Sequence, residues 1–92
     1  MKIVLATRVY PTQRPGGLPH VCQDRAEALA LEGHDVTVLT TGLPGHTHKE
    51  VKENGVRILH LNCPPMAYTA AFAMQCKAAV AKIRPELVHL ES

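Results

Sequence analysis

Apolar runs alternate with polar, glycine-rich and proline-rich stretches along the chain, and this alternation predicts four main strands and two helices. The first two strands are nearly continuous apolar runs, which is typical of parallel strands buried on both faces. The third mixes apolar and polar residues, which favours a position toward the edge of a sheet. In chain order, the predicted strands are Lys2–Val9, Asp35–Thr40, Val56–Leu61 and Leu87–Leu90.

Two further segments repeat apolar residues at helical spacing. The first, Leu18–Glu32, ends at Gly33, a residue type that commonly terminates helices. The second, Met66–Arg84, follows a proline pair that can open a helix, and it ends at Pro85. The apolar stripe of the first helix contains Leu18, Val21, Cys22, Ala26 and Leu29. The stripe of the second helix contains Phe72, Cys76, Ala79, Val80 and Ile83.

A β-hairpin is predicted just before the third strand. Lys49–Glu53 and Val56–Leu61 flank Asn54-Gly55, and Asn-Gly readily adopts the positive φ angles of a tight turn. The order β-α-β-(hairpin)β-α-β then predicts a Rossmann-like α/β fold, with a parallel sheet in strand order 3-2-1-4. In such sheets ligands bind outside the carboxyl ends of the strands where the order reverses, here between the first and fourth strands. The loop 10–17 and the tail 91–92 should meet there.

Composition narrows the function classes. The chain has 92 residues, of which 46% are hydrophobic and 20% charged, so it supports one small core. A formal net charge of +2 without a basic cluster argues against nucleic-acid binding. No apolar run reaches the roughly 18 residues of a membrane span, and no secretory signal is evident. The three cysteines lack metal-type spacing and indicate reduced thiols in a cytoplasmic protein.

The loop between the first strand and the first helix contains Pro15-Gly16-Gly17. A helix N-terminus carries unpaired N–H groups and partial positive charge, and glycine allows an anion to approach the backbone closely. The loop is neither Gly-x-Gly-x-x-Gly nor a Walker motif. It therefore has two interpretations, an anion-binding turn or a flexible connection between strand and helix.

Arg25 is the charged residue that interrupts an apolar stripe. Helical spacing places it between Val21 and Leu29, where a charge needs a partner. The functional interpretation is a guanidinium that reaches toward the cleft and Glu91, or toward a phosphate. The structural interpretation is an aliphatic stem lying on the core while the head reaches water, which is the commoner arrangement.

The histidines do not make a metal site by spacing. His46 and His48 offer two ligands in one loop, but no third ligand stands at a defined distance, so neither a metal nor another cofactor is predicted. We expect His34 to be the polar end of the first helix. His89 is expected to be a half-buried strand residue that bonds to backbone.

Several short motifs occur in a characteristic order. They are Met1-Lys2-Ile3, Tyr10-Pro11, Pro15-Gly16-Gly17, Ala26-Glu27-Ala28-Leu29-Ala30, Gly33-His34-Asp35-Val36-Thr37-Val38-Leu39-Thr40, Asn54-Gly55-Val56-Arg57-Ile58 and Arg84-Pro85-Glu86-Leu87-Val88-His89. This ordered set, which spans the whole chain, resembles the N-terminal part of group 1 (family 4) glycosyltransferases. The resemblance implies a two-domain GT-B enzyme that transfers a sugar from a nucleotide-sugar donor with retention of configuration. It also implies that Gly16 and Gly17 lie at the interdomain cleft, near the donor diphosphate and the acceptor.

Two positions depart from the family pattern. Family members often carry His-Val three residues after the glycine pair, whereas Leu18-Pro19-His20-Val21 here places His20 beside that position. A second His often follows the His of the fourth strand by two residues, and Glu91 stands there instead. His20, Arg25 and Glu91 therefore join the glycine pair as candidates for substrate or donor-phosphate binding, and no catalytic residue is assigned.

The resemblance further implies that the later catalytic His and the Glu-x7-Glu pair of the donor-binding domain would lie beyond Ser92. We therefore expect residues 1–92 to form a partial, acceptor-side domain that is inactive alone. The implied partners are a nucleotide-sugar donor and an acceptor, with no nucleic acid and with peripheral membrane contact allowed in the complete enzyme.

Two other interpretations stay open. One is a small module that binds a phosphate or a nucleotide, and the other is a non-catalytic fragment that self-associates. The strand Leu87–Leu90 would leave one backbone edge without a partner, and an exposed apolar edge pairs readily with another chain. We therefore expect a homo-oligomer formed through the edge of this fourth strand.

Overall fold

The fold is that of an α/β domain with one sheet. The computed structural model describes residues 1–7, 21–42, 49–63 and 69–90. The glycine loop, residues 43–48, the proline pair and the tail lie outside the described residues. The elements are β1 (Lys2–Thr7), α1 (Val21–Leu31), β2 (Asp35–Thr40), β3 (Lys49–Glu53), β4 (Val56–His60), α2 (Ala70–Ile83) and β5 (Leu87–Leu90).

The sheet has the order β3-β4-β2-β1-β5. β4, β2, β1 and β5 run parallel, which confirms the predicted order 3-2-1-4, and β3 pairs antiparallel with β4. The hairpin turn has φ angles of 51° at Asn54 and 82° at Gly55, as a tight primed turn requires. Because β3 covers the outer side of β4, the mixed third strand lies one position in from the edge, and its Val56 and Ile58 are fully buried.

One face of the sheet packs against α1. Ile3 and Leu5 of β1 alternate with residues of the opposite face, as a strand buried on both sides must. α1 contributes Cys22 and Ala26 to this layer, and Leu29 packs against it. The other members of this cluster come from the neighbouring strands and are Val36, Val38, Val56 and Ile58.

The predicted stripe of α1 was wrong at its start. Val21 is 62% exposed, whereas Cys22 and Ala26 are buried as expected. Periodicity defines the side of a helix that is apolar, but it does not define where along the helix the contact with the sheet ends. Leu18, the other early member of the stripe, lies outside the described residues.

The opposite face packs against α2, and here the predicted stripe is confirmed. Phe72 is buried with Val4 and Leu39, and the rest of the stripe packs around them. The predicted start at Met66 was wrong, because Thr69 has an extended backbone and its Oγ1 accepts a hydrogen bond from the Phe72 N–H at 3.1 Å. A threonine that caps in this way makes Ala70 the first helical residue. The helix ends before Arg84, which has a φ of 56°.

His60 is a buried polar residue at the end of β4. It is 1% exposed, and its Nδ1 lies 3.0 Å from the carbonyl oxygen of Thr41. A carbonyl only accepts, so Nδ1 carries the proton and donates. Burial lowers the pKa of His60 below 6.5, Lys49 lowers it further, and the hydrogen bond to Thr41 partly opposes both effects.

This lowered pKa predicts a loss of stability in acid. The unfolded chain takes up a proton at His60 near pH 6.5 and the folded chain only at lower pH. The stabilisation is therefore complete above pH 6.5 and declines as the pH falls below it. Urea unfolding at a series of pH values should show this decline, and His60→Gln should reduce the slope of stability against pH. The control Leu31→Ala, at an exposed residue that does not titrate, should leave that slope unchanged. Equal slopes in wild type and His60→Gln would contradict the assignment.

Candidate functional site at the switch point

Within the described ranges, the chain connections leave the sheet in opposite directions at one place, between β1 and β5. α1 packs on the face of Ile3 and Leu5, and α2 packs on the opposite face with Val4 and Ala6. The connection from β1 leads to β2 on one side, while β5 pairs with the other side of β1. Adjacent strands whose connections leave in opposite directions open a crevice at their carboxyl ends. The β1–β5 pair is therefore the candidate ligand site.

Of the predicted site residues, Arg25 is the one that lies within the described ranges, and its side chain lies beside the β1–β5 pair. Its Nη1 lies 3.2 Å from Nε2 of His89 on β5. His89 pairs with Leu5 of β1, so it stands on the α1 face toward the carboxyl end of the strand pair. The guanidinium is always a donor, hence Nε2 of His89 accepts this hydrogen bond and is unprotonated.

This contact corrects the expectation for His89. The residue is exposed rather than half-buried, and its Nε2 meets the side chain of Arg25 on α1. The reason is that β5 ends the sheet and α1 does not cover it, so Leu87 on the same face is also 49% exposed. The sequence signalled only that Arg25 needed a polar partner, because an arginine in an apolar stripe requires one.

Gly16, Gly17, His20 and Glu91 lie outside the described residues, so their predicted roles stay predictions. His34 follows the end of α1, and its Nε2 lies 3.7 Å from Glu32. Among the residues that the structure describes, no group of three His, Cys, Asp or Glu side chains could hold a metal ion.

The cysteines are thiols, and they lie in the two packed layers. Cys22 and Cys63 are buried, and Cys76 is half-buried on α2. Burial raises the pKa of the Cys76 thiol to about 11, and the neighbouring Cys63 adds to the effect. Cys76 is therefore protonated at neutral pH and is a poor nucleophile.

A groove on the α2 face was not anticipated from the sequence. It has a volume of about 440 Å³ and lies between α2 and β5. Phe72, Val80, Val88 and Leu90 line it, and Lys77 is the charged residue at its border among those described. The groove exists because β5 extends the sheet beyond the width that α2 covers.

A mostly parallel sheet, with helices on opposite faces and a reversal of chain connections between β1 and β5, defines a Rossmann-like α/β domain. Residues 16–92 match the glycosyl transferase 4-like domain, and the chain belongs to this family. The resemblance to group 1 glycosyltransferases is thereby confirmed.

The chain is similar to an uncharacterized glycosyltransferase from Methanocaldococcus jannaschii. The two are 38% identical over 58 residues, which cover 63% of this chain and 14% of the relative. The matched region is thus a small share of the relative's length. No solved structure matches the chain significantly. None of the described helices is long and apolar enough to cross a membrane.

Proposed function

We propose that the chain is the acceptor-side part of a retaining glycosyltransferase, which transfers a sugar from a nucleotide-sugar donor to an acceptor. The family match over residues 16–92 carries this proposal. The reversal of chain connections between β1 and β5 supports it, because open α/β sheets bind their ligands at such a position. The cysteines are free thiols, which suits a reducing compartment and supports a cytoplasmic location.

In this proposal the crevice binds the negatively charged part of the substrates. Gly16 and Gly17 would present backbone N–H groups to a phosphate at the start of the first helix. Arg25 would supply a positive charge from α1, and His20 and Glu91 would contact sugar or phosphate groups. The contact of Arg25 with His89 on β5 supports this assignment, because β5 is one of the two strands at which the chain connections reverse.

Activity is the first test. A glycosyl transfer needs the donor held in line with the acceptor and the developing charge stabilised, and neither follows from one half of a two-domain site. We expect residues 1–92 alone to give no transfer and no donor hydrolysis with a panel of nucleotide sugars. The full-length gene product should transfer a sugar from one of them. Turnover by residues 1–92 alone, or a full-length product without transferase activity, would contradict the proposal.

The glycine loop is the second test. If Gly16 and Gly17 form an anion site, inorganic phosphate should shift the amide resonances of residues 16–21 in an NMR titration. Gly17→Val should abolish these shifts, because a branched side chain prevents close approach of the anion to the backbone. Gly17→Ala, the smaller replacement, should weaken them less. Unchanged shifts in Gly17→Val would favour the alternative of a simple turn.

A small phosphate- or nucleotide-binding module is the second candidate function. The contact between Arg25 and His89 favours it, because it is built from this chain alone and needs no donor domain. Isothermal titration of residues 1–92 with nucleotides separates the two candidates. Micromolar affinity for a nucleotide would favour the module, whereas weak binding would favour the glycosyltransferase half.

A further inference from the structure

The α1 face of the sheet changes from apolar to polar at the carboxyl ends of three neighbouring strands. β1, β2 and β4 end at Thr7, Thr40 and His60, which pair with one another in register. Because side chains alternate along a strand, these three residues share the face of the α1-side cluster, whose strand members are isoleucine, leucine and valine. All three are buried. They form a polar row that closes an otherwise apolar layer.

Thr40 is the member of this polar row whose hydroxyl the fold does not explain. It is fully buried, and its Oγ1 has no hydrogen-bond partner in the described part of the chain. A buried hydroxyl without a partner lowers stability, and buried polar groups are therefore mostly hydrogen-bonded. Valine has nearly the same shape and favours strands equally, and Val36 and Val38 precede Thr40 on this face of β2. Packing and strand propensity thus do not account for the threonine.

The neighbours of Thr40 define the kind of ligand group that suits its hydroxyl. A threonine hydroxyl both donates and accepts, and His60 is neutral at neutral pH because burial lowers its pKa. Lys49, which pairs with His60 on β3, is exposed and stands two strands away from β2. Phosphates are usually bound by cations or several N–H donors and amines by carboxylates, whereas the polar row is uncharged. Such a row matches the hydroxyl of a sugar or of a similar polyol.

The end of β2 is also a suitable place for a ligand. Thr40 pairs with Thr7 of β1, and β1 is one of the two strands at which the chain connections reverse. Cys22 and Ala26 of α1 cover the apolar part of this face, which leaves the carboxyl edge as the approach to the polar row. Open α/β sheets bind their ligands at this edge.

We propose that Thr40 is a specificity-determining residue, whose hydroxyl hydrogen-bonds a hydroxyl of a neutral sugar or similar polyol at the carboxyl end of β2. This inference rests on the proposed function, because the bound hydroxyl belongs to the acceptor, which this half of the enzyme binds. The acceptor then supplies the partner that the described fold does not give to this buried group.

Thr40→Val is the first test, because it removes the hydroxyl and nearly keeps the shape. Without any sugar present, the melting temperature measured by circular dichroism should rise by about 4 °C or more, since a buried group without a partner is removed. Thr40→Ser, which keeps the hydroxyl, should show no such rise. A Thr40→Val variant that melts at or below the temperature of the wild type would overturn the inference, because the hydroxyl would then have a partner in the folded chain or in a bound water.

NMR titration of residues 1–92 with D-glucose, D-mannose and myo-inositol is the second test. At least one of these probes should give saturable shifts at the amides of residues 40–42. Thr40→Val should weaken the affinity for that probe at least about fivefold, because the bound hydroxyl loses its buried partner. Thr40→Ser should keep the affinity within about twofold of wild type, which a merely structural role of the side chain does not predict.

Thr37→Val is the matched control. Thr37 is a second buried threonine of β2, but it stands on the α2 face, two residues before Leu39. The same substitution there should leave the sugar affinity unchanged. Inorganic phosphate is the control probe and should not shift the amides of residues 40–42. Phosphate shifts at these amides that Lys49→Gln abolishes would overturn the inference, because the site would then bind anions.

The outcomes distinguish this inference from the proposed function. Wild type in which no probe shifts residues 40–42, or Thr40→Val with wild-type affinity, would overturn the inference. Sugar transfer by the full-length protein is measured separately. Sugar binding at Thr40 without any transferase activity would sustain the sugar site and reject the glycosyltransferase, whereas transfer without sugar binding at Thr40 would do the reverse.

Discussion

Replacing Leu39 with alanine is expected to lower the free energy of unfolding by about 2–5 kcal/mol. Leu39 is fully buried on β2, between Ala6 of β1 and Leu59 of β4, and it packs against the Phe72 side of α2. Truncation leaves a cavity that these neighbours cannot close, because the strands on both sides fix their positions. A chain of 92 residues has a total stability of about 5–14 kcal/mol, so this single change removes a large share of it.

Urea unfolding followed by circular dichroism provides the measurement. The control is Leu31→Ala on α1, because Leu31 is 89% exposed. Its unfolding free energy should stay within about 0.5 kcal/mol of wild type. A Leu39→Ala variant as stable as the control would show that α2 does not pack on this face of the sheet.

The sheet could be predicted from the sequence because its signals are local. β1, β2 and β5 are short, mainly apolar runs, and the hairpin of β3 and β4 is marked by Asn54-Gly55, whose positive φ angles the structure confirms. The strand order then follows from chain direction and the handedness of crossovers, which few alternatives satisfy. The stripe of α2 was predictable for the same reason, since its period is set by the helix itself.

The predictions that were wrong or incomplete concern contacts between elements that are distant in the chain. Val21 lies on the predicted apolar stripe, yet it is exposed, because the extent of the helix–sheet contact depends on tertiary packing. The partner of Arg25 could not be identified because His89 stands 64 residues away and is brought near only by the pairing of β5 with β1. Periodicity indicated that a partner was needed, but it did not indicate which one.

The outer edge of β5 is the feature of the structure that bears most on the oligomeric state of the chain in solution. β5 pairs with β1 on one side, and no strand in the described part of the chain pairs with its other side. Val88 is 49% exposed and Leu90 is 67% exposed, and both line the apolar groove beside α2. An apolar strand edge of this kind is a template for another strand.

We propose that the chain self-associates through β5 into a symmetric dimer or a higher oligomer. An antiparallel copy of β5 satisfies the hydrogen-bonding groups of this edge without any other sequence. On a two-fold axis that passes through His89, Val88 of one copy stands opposite Leu90 of the other. The apolar residues beside the groove then cover each other on the α2 face.

Val88→Asp is therefore expected to dissociate the assembly and to lower the melting temperature together. The substitution places a carboxylate opposite Leu90 of the second copy, where pairing would strip it of water without giving it a partner. Sedimentation velocity should show the wild type as a dimer or larger species at high micromolar concentration and Val88→Asp as a monomer.

Leu31→Asp is the matched control, because it adds the same charge at an exposed leucine of α1 outside the two core clusters. This variant should sediment as the wild type does. The melting temperature of the wild type should rise with protein concentration, since association stabilises the folded state by mass action, and that of Val88→Asp should not. A well-folded wild-type monomer at high micromolar concentration would rule out self-association and would show that the groove and the edge of β5 are stable in contact with water.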